Sequence, residues 1–250
     1  MENNRKGKNI AVVLAAGTGS RMKAGVAKQF LMLGDKPLIY YSLRAMEDSK
    51  IIDECILVTG EEDIPKMRSE IVEKYGFQKV KHVIPGGSER CFSVANAMRW
   101  LDRQGEGQDK KEDCVFIHDG ARPFVTEEIL ERTYLAAKEC GACVAAMPSK
   151  DTVKLSDEDG FAKETPERKT VWTVQTPQTF DRKLIVEAYR KFEQDVESEA
   201  KPGRGMVTDD ASVVELYTDV KVKLVEGSYS NIKVTTPEDL VIAEAFLLNK

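Results

Sequence analysis

Ile10-Ala11-Val12-Val13-Leu14-Ala15-Ala16-Gly17-Thr18-Gly19-Ser20-Arg21-Met22 is the stretch on which the fold turns. From Ile10 to Ala16 it is apolar without alternation, as a strand covered on both faces of a parallel sheet must be. The glycine-bearing turn behind it ends the strand abruptly. The same pattern recurs at Cys55 to Val58, Val80 to Ile84, Val115 to Ile117 and Ala142 to Met147. Helical signatures lie between these runs. Val94, Ala97, Met98 and Leu101 stand at i, i+3, i+4 and i+7. Thr126 is placed to cap a helix whose first turn carries Glu127 and Glu128. Thr236-Pro237-Glu238-Asp239 offers a cap, a proline at the first helical position and acids behind it. This alternation predicts an α/β fold with a doubly wound, mostly parallel, Rossmann-like sheet.

Three segments interrupt the rhythm. Asp102 to Asp113 reads as a polar loop. Glu193 to Met206, with Pro202, Gly203 and Gly205, reads as a polar excursion. Lys154 to Lys169 is charged, carries the turn signal Asp159-Gly160, and lies between Thr152-Val153 and Val171-Trp172. It predicts a β-hairpin arm, at about 151–171, projecting from the sheet. Without an internal repeat or a break in composition, residues 1–250 read as one domain.

Apolar residues make up 42% and charged residues 32% of the chain, and the net charge is −5. With no basic run, a nucleic-acid partner is not expected, and a polyanionic ligand needs a local basic pocket. The polar start from Met1 to Asn9 and the short apolar run behind it do not make a signal peptide. No run of about 18 apolar residues spans a bilayer. The sequence thus predicts a soluble cytoplasmic protein with no membrane partner. Its five cysteines are odd in number and widely spaced, against a disulfide framework. Cys140-Gly141-Ala142-Cys143 matches C-x-x-C, but Cys143 opens an apolar run and reads better as a buried strand residue.

The glycine loop carries the strongest chemical signal. Glycines let a backbone approach a phosphate closely, and free N–H groups at the turn can cradle it. A dinucleotide fingerprint needs glycine at 22, which is Met22, and the Gly-Lys-Ser/Thr of a P-loop is absent. Instead Arg21 follows the loop and Lys28-Gln29-Phe30 stands seven residues on. Two such cations suit a triphosphate, or else are solvated beside a tight turn. Gly86-Gly87-Ser88-Glu89-Arg90, leading to Ser93, reads equally as a base or ribose pocket and as a plain βα turn. His118-Asp119-Gly120-Ala121-Arg122-Pro123-Phe124 puts a carboxylate at a strand's carboxyl end, where such sheets bind ligands and where Mg²⁺ finds hard oxygens. Asp119 and Arg122 also read as a structural pair, and His118 as a packed histidine. Lys233, between Ile232 and Val234 near a strand end, faces either a ligand or solvent.

Taken together, these residues resemble the 2-C-methyl-D-erythritol 4-phosphate cytidylyltransferase family of the non-mevalonate isoprenoid pathway. The motifs are Ala15-Ala16-Gly17-x-Gly19-x-Arg21-Met22, Lys28-Gln29-Phe30, His118-Asp119-x-Ala121-Arg122-Pro123, Thr176-Pro177-Gln178, Thr208-Asp209-Asp210-Ala211-Ser212 and Asn231-Ile232-Lys233-Val234-Thr235. They run in order from Ile10 to about Leu248. The resemblance implies that CMP passes from CTP to a polyol phosphate, with Mg²⁺ as cofactor and pyrophosphate released. It implies that Arg21 and Lys28 neutralise the triphosphate, while Ala15, Ala16, Gly17, Thr18 and Gly19 hold its phosphates. Gly87, Ser88, Ser93 and Gly120 would belong to the nucleotide site. Asp119 and Arg122 would sit by substrate and metal, with Asp119 the metal-side carboxylate. Lys233 would position the attacking phosphate. Thr152 and Arg168 would lie on an arm swapped between subunits of a homodimer, and Thr176 and Thr208 would complete the acceptor pocket. Gly120 stands where many relatives have alanine, a change expected to affect only local stiffness, and Ser88 where an aspartate occurs. A ribitol 5-phosphate cytidylyltransferase is the nearest competing reading. A nicotinamide oxidoreductase is opposed by Met22, and a nucleotide sensor by the retained Arg21, Lys28 and Lys233.

Overall fold

The computed structural model describes residues 7–17, 27–104, 113–198 and 207–248. After β1 (Asn9–Ala15), the short strands β2 (Met32–Leu33) and β3 (Lys36–Pro37) lead into α1 (Leu38–Asp48). Then come β4 (Glu54–Thr59), α2 (Ile64–Lys66, continued as a π-helix over Met67–Glu73), β5 (Val80–Pro85) and α3 (Arg90–Gln104). β6 (Cys114–Asp119), α4 (Glu127–Cys140) and β7 (Ala142–Pro148) close the alternating part. The hairpin strands β8 (Leu155–Ser156) and β9 (Ala162–Glu164) precede the long β10 (Trp172–Asp181). α5 (Arg182–Glu197), α6 (Asp210–Tyr217), β11 (Lys223–Glu226) and α7 (Pro237–Leu248) complete the chain.

Seven strands form one sheet in the order β11-β7-β10-β6-β1-β4-β5. β1 runs parallel to β4 and β6, and β10 runs antiparallel to both β6 and β7. Non-alternating strands follow from this layering. Ile10 and Val12 pack toward α3, α5 and α6, while Ala11 and Val13 pack toward α1 and α4. Each face is covered, so both sets are apolar. Every fully buried Val or Ile contributes roughly 1.5–3 kcal/mol by leaving water.

Local chemistry sets the ends of the elements. Gly141 takes a left-handed φ of 81° after α4, and its N–H bonds Ala137 O at 2.8 Å. Asp209 caps α6 by accepting from Ser212 N, and Ser212 answers through its own hydroxyl. Thr126 stands at the N-cap of α4 without a side-chain cap bond, whereas Thr236 Oγ1 accepts from Asp239 N at 3.3 Å. Gly160, at φ 86°, turns the β8–β9 hairpin as Asp159-Gly160 predicts.

Three expectations need correction. The stretch read as a loop at Asp102–Asp113 starts as helix, since α3 runs to Gln104 with Leu101 in the core. At its far end Asp113 is buried, ion-paired with Arg182 Nη1 at 2.8 Å. The excursion placed at Glu193–Met206 begins as helix, since α5 continues to Glu197 with Phe192 in the core; Pro202, Gly203 and Gly205 lie outside the described residues. Lys233 is in irregular chain well past the end of β11.

The topology positions the site. From β1 the chain moves out through β4 to β5, then returns to the other side of β1 at β6. Such a reversal opens a crevice at the strands' carboxyl ends.

Candidate active site

A cleft of about 550 Å³ occupies this crevice. Leu14 to Gly17 line it from the end of β1, Gly60 to Glu62 from that of β4, and Asp119 to Ala121 from that of β6. Gly86 to Arg90 close another side at the start of α3, joined by Ser93. Lys28 reaches the cleft from a short 3₁₀ turn over Lys28–Phe30, and Lys233 from the irregular chain before α7. The volume is that of a small-molecule site.

The turn into α3 is built by close approach. A Cβ on Gly86 would lie 2.4 Å from Ala16 Cβ, and one on Gly87 would lie 2.4 Å from Phe92 Cβ. Ser93 Oγ accepts from Gly87 N at 3.0 Å and donates to Glu89 O at 3.1 Å. The turn is thereby fixed over the cleft, with the positive end of a 15-residue helix behind it. At Gly17, by contrast, an added Cβ would meet no described residue within 4 Å.

Asp119 is the electrostatic centre. Its Oδ1 receives Arg90 Nε at 3.1 Å, its Oδ2 receives Lys233 Nζ at 2.7 Å, and Arg122 Nε lies 3.9 Å from Oδ2. Burial alone raises a carboxyl pKa, but Arg90, Lys233 and Arg122 outweigh it and hold Asp119 well below the usual range. Burial lowers the Arg122 pKa, against the opposing pull of Asp119.

His118 lies behind this centre, fully buried. Thr176 Oγ1 accepts from Asp119 N at 3.0 Å, so its proton goes to His118 Nδ1, also 3.0 Å away. Nε2 then carries the imidazole proton and donates to Arg122 O at 3.1 Å. Burial pulls the His118 pKa down to about 4. The residue is a neutral scaffold strut, as its reading as a packed histidine expects.

The sequence profile of 2-C-methyl-D-erythritol 4-phosphate cytidylyltransferases matches residues 9–249. The chain belongs to this family. A 2-C-methyl-D-erythritol 4-phosphate cytidylyltransferase of Lachnoclostridium phytofermentans is 44% identical over 240 residues, 96% of each chain. One of Lachnospira eligens is 45% identical over 239 residues, 96% of this chain and 99% of that one. The crystal structure of a 4-diphosphocytidyl-2C-methyl-D-erythritol synthase from Anaerococcus prevotii superposes with a TM-score of 0.79. It is 36% identical and covers 97% of this chain and 96% of that one. Membership makes the chain a cytidylyltransferase and agrees with the Rossmann-like fold.

Against the cytidylyltransferase motif set, the cleft gathers Ala15, Ala16, Gly17, Lys28, Gly87, Ser88, Ser93, Asp119, Gly120 and Lys233. Thr18, Gly19 and Arg21 lie outside the described residues. Arg122 is not among the cleft-lining residues and donates through Nη1 to Asn231 O at 2.8 Å, anchoring the segment that presents Lys233. Thr176 is buried with its hydroxyl spent on Asp119 and His118, so it does not open onto this cleft. Thr208 is exposed outside the lining, its N–H bonded to Ser212 Oγ at 3.1 Å. Thr152 and Arg168 are exposed on the arm, with Arg168 Nη2 donating to Thr152 Oγ1 at 3.1 Å. Alanine at 120 would cost more than stiffness, since a Cβ there lies 2.5 Å from Ile39 Cδ1 and 2.9 Å from Leu14 O. Cys143 is buried, its thiol pushed up to about 12 by burial, and Cys140 bonds Ala136 O, so the C-x-x-C pair is structural.

Two participants escaped the sequence reading. Arg90 and Asp210 each stood inside a noted motif, yet nothing local says that residues 120 positions apart share a bidentate ion pair. The Asp209–Ser212 capping pattern, which fixes where Asp210 starts a helix, was the available signal.

The fit of Mg²⁺ rests on Asp119. Among the described residues no three acidic or metal-ligating side chains cluster. Mg²⁺ commonly needs one or two carboxylates with substrate phosphates and waters, and a carboxylate pair of oxygens has about four acceptor sites. Asp119, with one short cation contact on each oxygen, retains room for that single-carboxylate arrangement.

Proposed function

We propose that this enzyme transfers CMP from CTP to 2-C-methyl-D-erythritol 4-phosphate, giving 4-diphosphocytidyl-2-C-methyl-D-erythritol and pyrophosphate. The observation that carries the reading is one cleft lined by Leu14–Gly17, Lys28, the α3 turn and Lys233 at the sheet's switch point. An acceptor phosphate oxygen attacks the α-phosphorus of CTP in line. The new P–O bond forms as the bond to the β-phosphate oxygen breaks, and pyrophosphate departs. The nucleophile is already anionic, so no general base is required. This suits a site whose histidine is buried and neutral. Catalysis then rests on positioning and charge neutralisation.

The segment from Ala15 to Gly19 holds the triphosphate, and Arg21 and Lys28 neutralise charge developing at the α-phosphorus. Gly87, Ser88, Ser93 and Gly120 enclose cytosine and ribose. Lys233 holds the attacking phosphate, with Arg122 steadying its segment. A divalent cation such as Mg²⁺, held by Asp119 and the triphosphate, would supply further phosphate neutralisation.

The arm enters as part of a homodimer. Thr152 and Arg168 are exposed, face each other, and lie outside this chain's own cleft. In this reading the arm reaches the partner's site, where Arg168 meets the acceptor, while Thr176 and Thr208 shape that end of the pocket from behind and from its rim. Five free thiols suit the reducing cytoplasm, and among the described residues no helix is long and apolar enough to cross a membrane.

The test is pyrophosphate release from CTP with a panel of polyol phosphates. Methylerythritol phosphate should give the highest kcat/KM, and Lys28→Ala should lower kcat by roughly two to three orders of magnitude. Preference for ribitol 5-phosphate would overturn the acceptor assignment, and near-normal kcat in Lys28→Ala would overturn its role.

A further inference from the structure

Arg90 has no part in the chemistry above, yet it joins two elements at the cleft. Its Nη1 and Nη2 grip Asp210 Oδ1 and Oδ2 at 2.9 and 2.7 Å. Its Nε meets Asp119 Oδ1 at 3.1 Å, leaving Oδ2 to Lys233 at 2.7 Å. Asp210 is itself immobilised. It is fully buried at the first turn of α6, Tyr189 Oη donates to Oδ1 at 2.7 Å, and Gln178 Oε1 accepts its N–H at 3.0 Å. The result is a row of alternating charges, Asp210, Arg90, Asp119, Lys233, running from the core to the cleft.

We propose that Arg90 is a positioning residue for the transfer: clamped by Asp210, it sets the plane of the Asp119 carboxylate, so that Oδ2 delivers the Lys233 ammonium toward the acceptor phosphate. Two carboxylates already neutralise Arg90, and each of its three nitrogens is committed to one of them. It is therefore a poor phosphate ligand and a good brace, because a guanidinium fork fixes two carboxylates at once where an ammonium is a point charge. The proposal rests on the reading of Lys233 as the holder of the acceptor phosphate.

The test compares Arg90→Lys, Lys233→Ala and the double variant in steady-state assays with CTP and methylerythritol phosphate. Arg90→Lys keeps the charge and loses the fork. It should lower kcat/KM for the acceptor about 10- to 100-fold while the KM for CTP stays within about threefold, a split that general loosening of the fold would not produce. In the Lys233→Ala background the same substitution should have almost no further effect, since the two act in series. A full additional loss there overturns the proposal, as does an equal rise of both KM values in Arg90→Lys alone. If Lys233→Ala leaves acceptor kcat/KM untouched, the reading of Lys233 fails first and takes the brace with it. Should Arg90→Lys not fold, the charge-neutral pair Arg90→Gln with Asp210→Asn is measured in the same way, with the same expected split and the same overturning results.

Discussion

At the scale of single residues, burial decides which groups can titrate. His118 ends a buried strand, with Thr176 and the Arg122 carbonyl as partners. Burial holds its folded pKa down at about 4, against an ordinary value of 6.5. Between those pH values the unfolded chain binds more protons than the folded one, so stability falls as pH drops through the window. The loss by pH 4 should reach about 3 kcal/mol. Urea melts of the wild type and His118→Gln from pH 7 to pH 4 should show it: the variant lacks this component, so the stability difference between the two narrows by about that amount. Parallel pH profiles would contradict the buried neutral imidazole. Asp119 acts in the same direction at lower pH. Its carboxyl pKa is held down, so the stability it lends persists throughout this window and is lost only at still lower pH.

At the scale of elements, the turn between β5 and α3 shows how little freedom a binding loop has. A Cβ on Gly87 would lie 2.4 Å from Phe92 Cβ and 2.9 Å from Phe92 C. The second of these is backbone and cannot swing aside. Gly87→Ala should therefore destabilise the fold by about 1–3 kcal/mol and raise the KM for CTP. Gly17→Ala is the informative contrast, because no described residue lies within 4 Å of that Cβ and stability should change by no more than about 0.5 kcal/mol. Denaturant melts of the two variants make the comparison, and equal destabilisation would show that close approach is not what requires glycine at 87.

At the scale of the whole molecule, the arm is the feature that one chain does not explain. Its two short strands pair with each other, and Leu155 and Phe161 stand 47% and 72% exposed. A two-stranded hairpin is marginal in isolation, and symmetric packing of identical arms would give a C2 dimer. If Arg168 acts in the partner's cleft, Arg168→Ala should lower kcat/KM for the acceptor strongly and leave CTP affinity nearly unchanged. Mixing inactive Arg168→Ala with inactive Lys28→Ala should then restore part of the activity, because some heterodimers keep one intact site. No recovery, under conditions where subunit exchange is demonstrated by mass, would exclude action in trans.

The layered sheet and many of the residues that line the cleft were legible in the chain alone. Strands such as Ile10–Ala16 and Val115–Ile117 are apolar on both sides, and that property is local, so one chain displays it without reference to the rest. The motif order from Ala15 to Thr235 carried the resemblance to the family. Only the tertiary structure decided which polar residues work together. Thr176 closes on Asp119 and His118 because β10 enters antiparallel beside β6, and the same strand holds Asn231 through Thr176 O and Asp210 through Gln178 Oε1. Strand direction and neighbour are set by packing across the whole sheet. Ion pairs between residues 29 and 120 positions apart leave no periodic trace in the sequence, because chain separation places no constraint on which charges meet once the core has formed.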